Sequence, residues 1–411
     1  MTDDRKELLK KIAAEHGTPL FVIDDDKVRE NYRTFKAALP SVQPYVAIKA
    51  NPDVGIVETL YDLGASFDVA SLGEFTKVYE CTNGLPDAVR EDFIRNRMIC
   101  ANTIKPTETL RRLNGHNVLM TFDNSEELKK IRKYAPDARL VLRIRVPNVG
   151  SMVELSSKFG ALPTEAVGLI KEANALGLPV EGVSFHVGSQ CTNFDNYTQA
   201  LEFASTIFKE SALEGLDIGF TDSDGKKKKI LDIGGGFPVP YTEDVKSFRD
   251  LAEKLNTEIP RLFPDGDVKV IAEPGRFMVA TAGTVVVKVV GKSVRDGKTC
   301  YYVDDGVYHT FSGQVFDHQP YPLHAFKDTG EKKVCTTFGP TCDAFDTISR
   351  SDELPEDLQI DDLLYAENIG AYSTVSTSSY NGIPPAKVVH INRIEQGLTA
   401  ALGDSRLATA V

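Results

Sequence analysis

The run Pro44-Tyr45-Val46-Ala47-Ile48-Lys49-Ala50-Asn51, followed closely by Ile56-Val57-Glu58-Thr59-Leu60-Tyr61-Asp62-Leu63, decides the fold. Its first half is apolar and β-rich, and its second half has the spacing of an amphipathic helix. The alternation returns along the chain, with strands expected at 45–50, 66–71, 97–102, 118–122, 139–146, 182–188, 230–234 and 269–273. Helical spacing fills the gaps, as at 126–133 and 165–173. Gly64, Gly84, Gly115 and Gly177 stand where helices should end, since a left-handed C-terminal residue costs least as glycine. Eight strands alternating with helices predict an α/β chain folded as a (β/α)8 TIM-like barrel, with its functional residues at the C-terminal ends of the strands. An open doubly wound sheet is the alternative.

After residue 278 the pattern changes: 284–294 and 299–304 read as strands joined by the turn Arg295-Asp296-Gly297-Lys298, and helical spacing nearly vanishes. The expected division is a barrel over 24–278 and a second, mostly β C-terminal domain over 279–411. The N-terminal segment 1–23, helical before Thr18, joins that second domain. The basic run Lys226-Lys227-Lys228-Lys229 follows a polar Asp-Ser-Asp-Gly turn and reads as a solvated loop.

Across 411 residues, 47 basic against 59 acidic side chains leave a net charge of −12. That balance argues against nucleic acid or an anionic membrane as partner and weakly favours cationic substrates. Six cysteines are scattered without a CxxC pair, so neither a disulfide framework nor a zinc site is expected and reduced cytoplasm is the natural compartment. The charged start Met1-Thr2-Asp3-Asp4-Arg5-Lys6 predicts no signal peptide, and no apolar stretch reaches membrane-spanning length.

Four motifs fall at expected strand ends. Lys49 closes an apolar run, where a lysine can lose its proton and attack an aldehyde as an amine; strand-end lysines are also commonly solvated or paired. Ser184-Phe185-His186-Val187-Gly188-Ser189-Gln190 sets one imidazole in an apolar strand. His186 is either a core histidine satisfied by backbone or a stacking face for a flat heteroaromatic ring, with Ser189 as hydroxyl donor to a phosphate. Leu231-Asp232-Ile233-Gly234-Gly235-Gly236-Phe237-Pro238 is either a flexible turn or a place where backbone N–H groups approach an anion. In Ala272-Glu273-Pro274-Gly275-Arg276 the acid and the arginine form a surface ion pair or address opposite sides of one ligand. Together the four specify an aldehyde anchor, a ring face, a phosphate cradle and a counter-anion for a protonated ring. Pyridoxal 5'-phosphate is the cofactor that needs all of them.

These segments, with Phe67-Asp68-Val69-Ala70-Ser71, Asp304-Asp305-Gly306-Val307-Tyr308, Gly339-Pro340-Thr341-Cys342-Asp343, Gly370-Ala371-Tyr372 and Tyr380-Asn381-Gly382, carry a resemblance. From about residue 18 to about residue 392 the chain resembles the alanine-racemase-like (fold type III) pyridoxal-phosphate decarboxylases, in their ornithine decarboxylase branch. Cys342-Asp343 stands where diaminopimelate decarboxylases carry Cys-Glu, which points away from that branch.

The resemblance implies decarboxylation of a basic diamino acid, L-ornithine to putrescine and CO2 or L-lysine, within polyamine biosynthesis. It makes Lys49 the cofactor lysine, Glu273 the partner of the ring nitrogen and His186 the stacking face. Ser189, Gly235, Gly236, Gly275, Arg276 and Tyr372 match phosphate-binding positions, and Asp68, Glu74 and Arg143 match supporting ones. Cys342 is implied as the proton donor, reaching in from the second subunit of a homodimer with shared sites; Lys158 and Asp346 match positions that pair between subunits. Asp317 and Asp343 match the clamp on a distal ammonium, and Asp317 disfavours arginine. Phe316 and Tyr380 depart from the ornithine decarboxylase pattern, which commonly has tyrosine and phenylalanine there. The remaining alternatives are a carboxynorspermidine-type decarboxylase, an amino-acid racemase, and a non-catalytic decarboxylase-like regulator that should lack some of Lys49, His186, Glu273, Cys342 and Asp343.

Overall fold

The computed structural model describes residues 1–151, 156–241, 245–327 and 329–394, so the end of the expected C-terminal domain, 395–411, lies outside the described residues. Eight parallel strands form a closed ring: Val42–Ala47, Ser66–Val69, Met98–Cys100, Leu119–Phe122, Arg139–Ile144, Val180–Phe185, Lys227–Asp232 and Val268–Ala272. Closure is made by the last strand on the first, with Val270 opposite Val42 and Ala272 opposite Pro44. The ring excludes the open sheet.

Alternation along each strand explains the closure. Tyr45, Ile99, Leu119, Val141, Ile230 and Ile271 form one buried cluster, drawn from six of the eight strands. Their neighbours on the opposite face, Val46, Met98, Met120, Leu142 and Leu231, join the larger core built with the helices. Both faces of each strand are therefore withdrawn from water, which is what a parallel barrel requires. Gly64, Gly84, Gly115 and Gly177 all take positive φ, between 70° and 95°.

The strands end earlier than the apolar runs suggest. The first stops at Ala47, and Ile48–Ala50 is a single 3-10 turn, so Lys49 projects from a turn beyond the strand. His186 and Glu273 each follow the last residue of a strand ending at Phe185 and Ala272. The lysine run is also corrected. Lys227 and Lys228 lie in a strand, paired with Thr221 and Phe220, and Asp217, Asp222 and Asp267 form ion pairs with Lys227, Lys228 and Lys229. Backbone pairing and an aspartate for each of these three charges carry the strand back to Lys227.

Among the described residues the second sheet has eight strands, centred on Gly283–Arg295. That long strand pairs with Leu20–Asp24, Lys298–Val303 and Leu363–Glu367, and Leu20–Asp24 in turn pairs with Lys387–Ile391. Asp296 and Gly297 both have positive φ, as a two-residue hairpin demands. The helix Asp3–His16 sets Leu9, Ile12 and Ala13 against Leu20, Val22, Val286, Phe326 and Tyr365, so the N-terminal segment packs on this sheet. Among the described residues no helix is long and apolar enough to cross a membrane.

Candidate active site

The barrel's strand ends bring Lys49, Asp68, His186, Gly235, Glu273 and Arg276 to one place. Lys49 Nζ lies 2.8 Å from Asp68 Oδ2; the aspartate side chain is fully buried and 38% of the lysine side chain is exposed. Desolvation works against the ammonium, but the Asp68 and then the Glu273 carboxylates overcome it and hold the lysine above its ordinary pKa. A lysine free to shed its proton is therefore not what the fold provides. Asp68 keeps it charged.

Glu273 is the converse case. Burial pushes its carboxyl well above the ordinary range, the Asp232 and Asp68 carboxyls push further, and Lys49 opposes them. Asp232, fully buried, is itself raised to about 6 by burial, against a hydrogen bond with Glu273. A second buried carboxyl nearby makes ionising Glu273 costlier still. Glu273 Oε1 and Asp68 Oδ1 are buried without a hydrogen-bond partner.

His186 is held neutral: burial, then the charges of Arg143 and Lys49, lower its pKa well below the usual value. Its Nδ1 accepts the Gly188 amide at 3.0 Å, which leaves the proton on Nε2. Nε2 faces Gly235, where a Cβ would come within 2.8 Å of both that nitrogen and the Glu273 carbonyl. Only glycine fits. The carbonyls of Gly234, Gly235 and Gly236 are taken by the Glu273 amide, the Tyr197 hydroxyl and the Cys191 amide. The Gly235 and Gly236 amides have no acceptor among the described residues.

Arg276 is buried beside this glycine loop. Its guanidinium donates to Ser189 Oγ at 2.9 Å and Tyr241 Oη at 3.1 Å, forms an ion pair with the buried Asp317, and lies 4.9 Å from the Tyr372 ring centroid. The Tyr372 amide bonds to the Ala50 carbonyl at 2.8 Å, tying the second sheet's following loop to the lysine turn. Gly275 packs against Ala47 and Ala50, 3.1–3.3 Å from where its Cβ would stand. Arg143 lies over the Phe159 ring at 5.1 Å, and Glu74 accepts the Ala70 amide at 2.7 Å.

The other sequence-derived residues gather elsewhere. Cys342 is exposed, with its amide and thiol bonded to Asn381 Oδ1 at 3.1 and 3.2 Å. Asp343 accepts the Tyr308 hydroxyl at 2.5 Å and the Phe345 amide at 3.0 Å, and the Tyr308 ring stacks on Tyr380 at 4.5 Å. Phe316 is 64% exposed, Phe345 58% and Tyr380 40%. Among the described residues no hydrogen bond, ion pair or ring contact links this exposed group to Lys49. Asp317 and Asp343 are thus not joined as a clamp within one chain. Asp346 is buried, and its carboxylate accepts the Val307 amide, the Thr341 amide and the Thr341 hydroxyl.

The sequence left Asp232, Tyr241 and Tyr308 without roles. An acid in the apolar run Ile230-Leu231-Asp232-Ile233 is a visible signal for the first. For the two tyrosines only tertiary contact reveals the partner.

A family model described as the pyridoxal-binding domain of pyridoxal-dependent decarboxylases matches residues 25–280. The chain belongs to this family. Lysine/ornithine decarboxylase of Selenomonas ruminantium is 40% identical over 379 residues, 91% of this chain and 90% of the relative. Antizyme inhibitor 2 of Xenopus laevis is 37% identical over 406 residues, 94% of this chain and 84% of that protein. Among solved structures, lysine/ornithine decarboxylase of Vibrio vulnificus complexed with putrescine matches with a TM-score of 0.84 at 33% identity, covering 96% of this chain and 100% of that one. The chain is a pyridoxal-phosphate carboxy-lyase of the ornithine/lysine branch of fold type III.

The decarboxylase's own residues fit that cofactor. Glu273 Oε1 is a buried acceptor lacking a donor, which a protonated ring nitrogen supplies; the glycine amides and Arg276 provide donors where a phosphate needs them.

Proposed function

We propose that this decarboxylase converts L-ornithine to putrescine and carbon dioxide, accepts L-lysine at the same site, and works in the cytoplasm as a homodimer with shared active sites. The carrying observation is the division of the functional residues into two groups. Lys49, Glu273 and Arg276 lie at the barrel's strand ends, with Asp317 of the second domain ion-paired to Arg276, while Cys342 and Asp343 stand on an exposed patch beside Phe345 and Tyr380. Supplied by a second copy, the patch gives each site its thiol and second carboxylate.

In this reading Lys49 would hold the cofactor's aldehyde end, Glu273 its ring nitrogen and His186 its ring face. Ser189, Gly235, Gly236, Gly275, Arg276 and Tyr372 would hold its phosphate, with Asp68 and Arg143 in support. When bound, the ring accepts the electron pair released as the carboxylate leaves as carbon dioxide. His186, neutral and pinned through Nδ1, stacks without adding charge. The Cys342 thiol delivers a proton to the carbon that has lost its carboxylate. Asp317 and Asp343 address the distal ammonium from opposite sides, and Phe316 and Tyr380 line the same end.

The pocket end does not measure length sharply. Ornithine and lysine differ by one methylene, worth ~1–3 kcal/mol in discrimination, and two of the three relatives named above carry both substrates in their names. Competition between equal concentrations of ornithine, lysine, arginine and diaminopimelate, with amine products quantified, tests the reading. Putrescine and cadaverine should dominate; agmatine as the main product would overturn it.

A further inference from the structure

The exposed patch holds an arrangement that a merely structural tyrosine does not need. Tyr308 is fixed on three sides. Its carbonyl accepts the Ser378 amide and hydroxyl at 2.9 and 3.0 Å. The preceding Val307 amide donates to the buried Asp346, and the following His309 ring bonds to the Ile383 carbonyl. The Tyr308 ring is stacked on Tyr380 with an interplanar angle of 16°, and Phe345 meets it edge-on at 6.2 Å. So held, its hydroxyl donates to Asp343 Oδ2 at 2.5 Å, while Asp343 Oδ1 accepts the Phe345 amide.

We infer that Tyr308 is a positioning residue for recognition of the substrate's distal ammonium: its hydroxyl fixes the direction of the Asp343 carboxylate, and the Tyr308–Tyr380 stack fixes the hydroxyl. The inference rests on the reading of Asp343 as part of the ammonium clamp. A carboxylate on an exposed loop turns freely, and each rotamer it loses on binding weakens the contact. With both oxygens already assigned a donor, Asp343 keeps one orientation and still has free lone pairs for an ammonium. The Phe345 amide and then the Tyr308 hydroxyl hold it ionised. The hydrogen bond to Asp343 in turn pushes the phenol up to about 12, so Tyr308 remains a donor wherever the enzyme works.

Tyr308→Phe keeps the ring stack and deletes only the hydroxyl. In the cofactor-loaded enzyme it should raise the KM for lysine about tenfold, the order lost with one hydrogen bond to a charged group, and lower kcat less than about twofold. Inhibition by cadaverine should weaken about tenfold and inhibition by pentylamine, of equal length without the second charge, less than about twofold. In an Asp343→Asn background the same substitution should change neither constant by more than about twofold. Equal weakening of both amines, or full additivity with Asp343→Asn, would overturn the role of Tyr308. If Asp343→Asn alone leaves the preference for cadaverine over pentylamine intact, Asp343 is not in the clamp and both readings fall. A decline in melting temperature matched by equal losses for both amines assigns Tyr308 to packing and also overturns it.

Discussion

At the scale of single residues, the site is built from charges that would be costly apart. Asp68 and Glu273 are buried acids with unpartnered oxygens, and Lys49 lies between their fields. The arrangement keeps the lysine charged and leaves Glu273 short of a cationic donor, so the pocket is complementary to a protonated heteroaromatic ring. Lys49→Ala should therefore abolish the near-visible absorbance of the purified enzyme and its loss on borohydride treatment, with turnover falling on the order of a thousandfold or more. Retention of the band or of full turnover would refute the assignment. Gly235 belongs to the same logic, because any side chain there collides with the His186 ring and the Glu273 carbonyl.

At the scale of elements, one histidine couples three of them. His390, in the strand Lys387–Ile391, bonds through Nδ1 to Asp25 and through Nε2 to Asp53, each at 2.8 Å. Asp25 opens the helix Asp25–Ala38, and Asp53 caps Val54–Asp62. Burial opposes the imidazolium, yet the two aspartates outweigh it and raise its pKa to about 9. An unfolded chain binds that proton with a pKa of about 6.5. The clamp's contribution is thus complete below about pH 6.5 and declines as pH rises toward about 9, since the folded state then loses the proton it had gained. Melting temperature should fall across that interval in the native protein and run flatter in His390→Gln. Parallel curves for the two proteins would show that the clamp adds nothing.

At the scale of the whole molecule, the separation of Cys342 and Asp343 from Lys49 makes assembly the decisive question. Lys49→Ala and Cys342→Ala should each be nearly inactive alone. Mixed in equal amounts and allowed to exchange subunits, they should recover roughly a quarter of native activity, because half the dimers are mixed and each mixed dimer has one intact site. No recovery, with exchange verified by mass, would place both residues in a site formed within one chain. The exposed Phe345 and Tyr380 rings, both packed on Tyr308, lie on the patch such an exchange would rebuild.

The alternation of apolar runs with helical spacing determined the barrel, because each βα unit writes its two-sided burial locally in the residues that make it. The positions of Lys49, His186, the glycine loop and Glu273 were legible for the same reason: each follows a strand, and the fold places strand ends together. Strand limits, the extra strand residues at Lys227 and Lys228, and the mutual burial that raises Asp232 and Glu273 depended on pairing partners far along the chain. So did the Tyr308–Asp343 bond, which joins loops 35 residues apart, and the enclosure of Asp346. Local sequence fixes which face of an element is buried; which charge meets which hydroxyl is settled only when distant loops close on one another.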